Sequence, residues 1–269
     1  MASLRSDSTL MAHNNSDSSS SATPPAAVNS TRSNLRWFGI GFAILFPSLV
    51  TWVYFVAAGR YSAGTQQTVY LIAKVIQFGF PAVWAWFVLR EPIRTARPTV
   101  SGMLLGAAFG VVVVAAGMAM FEFVLRDTAV FSKAAELIHK KVAAFGIDSA
   151  WKFAALAGFY SLFHSLLEEY YWRWFVFREL RQVMAVRPAI VISAMGFTLH
   201  HIIVLSIFFS GAPWLVVLFA SGVAVGGAFW AWLYERSGSI FDPWLSHALI
   251  DAGLFFGIGF ALLRETFVN

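Results

Sequence analysis

Residues 189–209 read AIVISAMGFTLHHIIVLSIFF, a stretch without a single Asp, Glu, Lys or Arg. A helix of about 20 apolar residues spans the hydrocarbon core of a bilayer. In lipid the backbone has to satisfy its own hydrogen bonds, which helices do within one segment. The stretch therefore reads as a transmembrane helix, with His200 and His201 in its interior. Six more apolar runs of similar length flank it: Trp37–Ala58, Thr68–Leu89, Ser101–Leu125, Ala150–Phe177, Trp214–Leu233 and Phe241–Leu263. Between the third and fourth, Phe131–Phe145 sets Lys133, Glu136, Lys140 and Lys141 against Ala134, Leu137, Ile138 and Val142, the pattern of an amphipathic helix lying in the membrane interface. The expected fold is an all-α polytopic membrane bundle of about seven transmembrane helices plus one interfacial amphipathic helix.

Composition agrees. Of 269 residues, 58% are hydrophobic and 12% charged, where a soluble domain carries about 25% charged residues. Mean hydropathy is +0.68. Such a chain has too few polar groups to cover a water-facing surface, so the lipid bilayer is its expected partner. The 11 Trp and 27 Phe suit a surface that meets acyl chains and headgroups. There is no Cys, which excludes disulfides, thiol catalysis and cysteine-bound metal. A net charge of +5 raises nucleic acid as a ligand, but Arg and Lys sit mainly between the apolar runs and form no basic stripe with interleaved aromatics. No nucleic-acid partner is expected.

Two regions are expected. Residues 1–35, rich in Ser, Asn, Thr and Ala, are a polar tail too poor in apolar groups to pack, hence disordered. The tail is not a signal peptide, since no apolar segment precedes Trp37, and Met11 offers a second start. Residues 36–269 are the transmembrane domain. Arg32, Arg36, Arg90, Arg94, Arg97, Arg178, Arg181, Arg187 and Arg236 fall at alternate ends of the spans. By the positive-inside rule these ends are cytoplasmic, and so is the N-terminus. The third-to-fourth connection, with Arg126, Lys133, Lys140, Lys141 and Lys152, is an exception.

Ionisable residues inside spans are costly and mark function. Lys74, a turn or two inside its run, reads as a snorkelling lysine, and Glu122 has Arg126 four residues on as a partner. The rest form a set: His164, Glu168, Glu169 and Arg173 in the fourth run, His200 and His201 in the fifth, His247 and Asp251 in the seventh. Glu168, His201 and His247 lie 10, 14 and 11 residues from Arg178, Arg187 and Arg236. At about 1.5 Å per residue that is one level, roughly 15–21 Å from the charged ends. Glu169 and Arg173 are spaced as a helical ion pair, which leaves Glu168, about 100° around the helix, to face a cavity and act as a general base. The spacing of His247 and Asp251 lets the carboxylate orient the imidazole.

Three motifs carry a resemblance. Glu168-Glu169-Tyr170-Tyr171-Trp172-Arg173 fits Glu-Glu-x-x-x-Arg, Phe197 to His201 fits Phe-x-x-x-His, and His247 to Asp251 fits His-x-x-x-Asn/Asp. In this order, over residues 150–255, the chain resembles the CPBP family of type II CAAX prenyl endopeptidases and their bacterial, bacteriocin-processing relatives. The resemblance implies an intramembrane glutamate-type endopeptidase. Glu168 would activate the attacking water and His201 would bind or polarise it. His247 and residue 251 would stabilise the oxyanion, with Glu169 and Arg173 in support. An ionised Asp251 only accepts hydrogen bonds where Asn would donate, so its expected role is to orient His247. His200 is expected to face elsewhere.

Rival readings are a zinc enzyme, a serine protease, a proton-coupled transporter and a non-catalytic immunity or scaffold protein. The His-Glu-x-x-His helix and the Gly-x-Ser-x-Gly elbow are both missing from the sequence, and no internal repeat suggests a transporter. No cofactor and no metal are expected. The expected substrate is a peptide or protein with an apolar or lipidated segment, cleaved in a bacterial cytoplasmic (inner) membrane.

Overall fold

The computed structural model describes residues 25–57, 61–92 and 94–263, which form eight helices and no strand. They are α1 (25–57), α2 (63–88), α3 (100–125), α4 (129–144), α5 (150–181), α6 (186–208), α7 (213–237) and α8 (241–263). Wider π-helical turns close α1, α2 and α3 and interrupt α5 and α8. The first helix starts at Pro25, where the ring's missing N–H is no loss. The polar stretch 25–35 therefore extends α1, while the rest of the expected tail, residues 1–24, lies outside the described residues.

Six helices are long and apolar enough to cross a membrane: Ser30–Ala57, Gly64–Val88, Val100–Leu125, Val186–Phe208, Pro213–Ser237 and Phe241–Leu263. The expected seventh, α5, is long enough but not apolar enough, because it carries Lys152, Glu168, Glu169, Arg173 and Arg178. Glu168, Glu169 and Arg173 are tolerated because protein rather than lipid surrounds the second half of α5. Every residue from Tyr171 to Phe177 is buried, and Tyr171, Trp172, Trp174, Phe175 and Phe177 join Ile40 of α1, Ala85 of α2, Phe197 of α6 and Trp230 of α7 in the main core. A helical segment buried on all sides, as 171–177 is, sits inside a bundle. The expected amphipathic helix is α4, Ala129–Ala144, capped by the Thr128 hydroxyl and packed through Phe131 against Phe121 and Phe209.

One end of the bundle is tied by arginine–carboxylate pairs. Arg36 pairs with both Glu91 and Glu179, Arg178 reaches Glu91 at 2.9 Å, Arg32 reaches Glu91 at 3.0 Å, and Arg181 reaches Glu235 at 3.0 Å. These pairs join α1, α5, α7 and the turn after α2.

Two close approaches set the helices that matter for the site. Gly102, Gly106 and Gly110 line α3 where it meets α8, and a Cβ at Gly106 or Gly110 would run into the backbone oxygen of Asp242 or Ser246. Small residues at this spacing let helix backbones approach in membranes. Asp242, fully buried, locks the register by accepting from the Thr99 amide (3.1 Å) and hydroxyl (2.9 Å). Thr99 in turn caps α3 through its hydroxyl. On the other side, Gly227 of α7 lies against Ala194 and Phe197 of α6.

Gly106→Ala is expected to destabilise the bundle by about 1–3 kcal/mol, the usual range for overpacking. Gly41→Ala, whose Cβ meets nothing within 4 Å, serves as the control for helix propensity. Unfolding by SDS titration compares the two, and equal midpoints would remove the close contact as the reason for the glycine.

Candidate active site

The turn of α5 that directly follows its first π segment, Ser165–Glu169, puts two successive carboxylates into the bundle interior, Glu168 4% exposed and Glu169 fully buried. Being about 100° apart on the helix, they meet different partners. Glu169 Oε2 lies 3.1 Å from Arg173 Nε, one turn on. The guanidinium is clamped between the rings of Phe197 and Trp230, each centroid 5.0 Å away. Its NH2 also donates to the Gly227 carbonyl at 3.4 Å.

Glu169 Oε1 accepts from Nδ1 of His247 at 2.8 Å. That ring stacks on Trp230 (centroids 4.1 Å, planes 16° apart), whose indole N–H donates to Ser246 Oγ at 3.0 Å. The imidazole is thus fixed in orientation and tautomer, with Nε2 turned towards Glu168 Oε2 (3.6 Å) and Asp251 Oδ2 (3.8 Å). Carboxylates face both ring nitrogens, so the doubly protonated ring has an N–H for each.

Glu168 has no arginine or lysine of its own within 4 Å among the described residues. Instead three imidazoles ring it: His164 Nδ1 at 3.9 Å, His200 Nε2 at 3.7 Å and His247 Nε2 at 3.6 Å. They come from α5, α6 and α8. His201 is not among them. Its Nδ1 donates to the Phe197 carbonyl at 2.9 Å, which leaves Nε2 as the free nitrogen, and its ring centroid lies 4.2 Å from that of His200.

Set against the sequence, Glu168, Glu169, Arg173, His247 and Asp251 come together as one cluster. Two relationships differ from expectation. His200, expected to face away, contacts Glu168, while His201 stands behind it. Adjacent residues on a helix point about 100° apart, so only one could take that contact, and the His201 bond to its own helix backbone turns that ring aside. The second difference concerns the orienting group on His247: Glu169 holds Nδ1 from α5, and Asp251 reaches only the Nε2 side. His164, one turn before Glu168, is the further member of the shell, and its spacing of four was the signal for it. Tyr171, Trp172 and Trp174 are core residues. No group of three or more His, Asp or Glu side chains among the described residues stands in metal-holding geometry.

Glu169→Gln is expected to cost about 3–5 kcal/mol, because it leaves Arg173 buried without its counter-charge. The double variant Glu169→Gln/Arg173→Met should recover much of that loss. SDS-titrated unfolding of the four proteins in the cycle measures the coupling, and additive effects would show that the pair is not coupled.

The family model described as type II CAAX prenyl endopeptidase, Rce1-like, matches residues 150–253. No curated protein and no solved structure matches the chain. Every residue of the cluster falls within those limits, from His164 to Asp251. The segment that builds the site is thus the segment that is similar to the Rce1-like type II CAAX prenyl endopeptidases.

Proposed function

We propose that the chain is an intramembrane endopeptidase in which Glu168 activates the water that attacks the scissile carbonyl. The observation that carries this reading is the environment of Glu168: a buried carboxylate with three imidazoles around it and, among the described residues, no Arg or Lys within 4 Å. A carboxylate tied to Arg or Lys is a poor base. One bordered by imidazoles keeps a lone pair for water and has neighbours able to carry the proton onward.

The other residues divide the remaining work. His247, held by Glu169 and Trp230, presents Nε2 beside Glu168 and in its protonated form donates to the developing oxyanion, a charge worth several kcal/mol to stabilise in a water-poor site. Asp251 supports that protonated form from the far side. His200 holds one oxygen of Glu168 in place, and His201 offers its free Nε2 to the water or the peptide. Arg173 neutralises Glu169, so that the orienting carboxylate does not add a second uncompensated charge. We place the arginine-paired end of the bundle on the cytoplasmic side of a bacterial inner membrane. Support comes from the positive-inside rule and from Arg32, Arg36, Arg178 and Arg181 gathering at that end.

The test is proteolysis in liposomes against prenylated and leader-type peptides. Glu168→Gln is expected to lower kcat by about 10²–10⁴-fold, the contribution of a positioned base, with wild-type cleavage unaffected by chelator. Cleavage abolished by chelator would replace the glutamate mechanism with a metal-dependent one. A folded wild type that cleaves no peptide would overturn the protease reading in favour of an immunity or transport role. The same assay weighs the two adjacent histidines. His200→Ala is expected to reduce kcat at least as much as His201→Ala, and an unaffected His200→Ala would return the role to His201 alone.

A further inference from the structure

Lys74 is the ionisable residue that the site above leaves unused. The span that carries it begins at Gly64 and ends at Val88. It therefore lies about 15 Å from one end of that helix and 21 Å from the other. Its ammonium sits over the rings of Tyr70 and Phe78, 5.4 Å from each centroid. Among the described residues no carboxylate oxygen lies within 4 Å of it. A cation inside a span with no carboxylate in contact is costly and calls for a functional reason.

Its position supplies one. Tyr70, Lys74 and Phe78 recur every four residues and so share one face of α2. That face looks at the start of the catalytic helix: Phe78 meets the ring of His164 edge-on at 5.9 Å, and Tyr160 lies 4.9 Å from the same imidazole. His164 is the imidazole that borders Glu168, and Lys74 is within electrostatic reach of that carboxylate. The helix thus brings the Lys74 ammonium, with no carboxylate in contact among the described residues, up to the wall beside the catalytic carboxylate. An ammonium donates to a carboxylate and accepts nothing in return.

We propose that Lys74 is a specificity-determining residue that binds a carboxylate on the substrate, within a few residues of the scissile bond, and that α2 forms the recognition wall of the site. This inference rests on the protease reading for its substrate and lies outside the family-matched segment. A carboxylate is offered by two sources, an acidic side chain or the free C-terminus of a peptide.

The probe is a set of fluorescent apolar peptides in nanodiscs: one with a free C-terminal acid, one amidated, and one amidated but carrying an internal Glu. Binding is measured to Glu168→Gln protein, so that no cleavage intervenes. One or both acidic peptides should bind about tenfold more tightly than the neutral one, a difference of about 1.4 kcal/mol, and which of them does so identifies the source. The preference should vanish in Glu168→Gln/Lys74→Met and persist in Glu168→Gln/Lys74→Arg, with thermal unfolding used to confirm that each variant is folded. An acid-to-amide ratio that is unchanged by Lys74→Met, or near one throughout, overturns the proposal. A Lys74-dependent acid preference, found alongside a folded wild type that cleaves none of these peptides, upholds the site and refutes the protease reading.

Discussion

Glu169 and Arg173 are ionised side chains buried in a protein whose outer solvent is lipid. Neither could sit there alone, since an unpaired charge in such a medium costs several kcal/mol. Their 3.1 Å approach, made by two turns of one helix, is the condition under which α5 can occupy the centre of the bundle. Much else follows from the need to enclose that pair. Phe197 and Trp230 cover the guanidinium from two other helices, Gly227 lends it a carbonyl, and His247 uses the remaining oxygen of Glu169 as its anchor. The pair that neutralises the core is also the pair that aims the imidazole.

Division of labour between neighbouring carboxylates is the chemical result. Glu168 and Glu169 share a backbone environment and a depth, yet one is committed to Arg173 and His247 while the other meets only imidazoles. Their different roles come from the 100° step between successive helix residues, which sends one towards α7 and α8 and the other towards His164, His200 and His247. A hydrolytic site needs both kinds of group: a fixed framework charge, and a base whose lone pair is available. The sheath of stacked rings, Trp230 on His247 and Trp172 on His200, limits the freedom of the imidazoles and keeps their nitrogens pointed inwards.

The sequence revealed the helices and the polar set because both signals are local: apolar runs of span length, and ionisable residues where lipid makes them expensive. The Glu169–Arg173 pairing was legible for the same reason, being a matter of spacing on one helix. What needed coordinates was rotation of one helix against another. Whether His200 or His201 meets Glu168 depends on how α6 is turned, and its apolar pattern runs almost all the way round. Likewise the partner of His247 Nδ1 was sought on its own helix, in Asp251, and was found 78 residues away in Glu169. Lys74 lies deeper in its helix than the apolar run suggested, because α2 starts about five residues earlier, at Ala63.

The glycine stripe of α3 bears on how the chain divides. The family-matched segment contains every side chain of the candidate cluster, yet the helix carrying His247 takes its height and tilt from Gly102, Gly106, Gly110 and Thr99, all outside that segment. The segment is accordingly not a self-sufficient cassette. A chimera that grafted it onto foreign leading helices would keep the motifs and misplace the imidazole, unless the graft also brought a helix notched to seat Asp242. Sequence change in the leading helices is constrained by shape where the segment itself is constrained by chemistry.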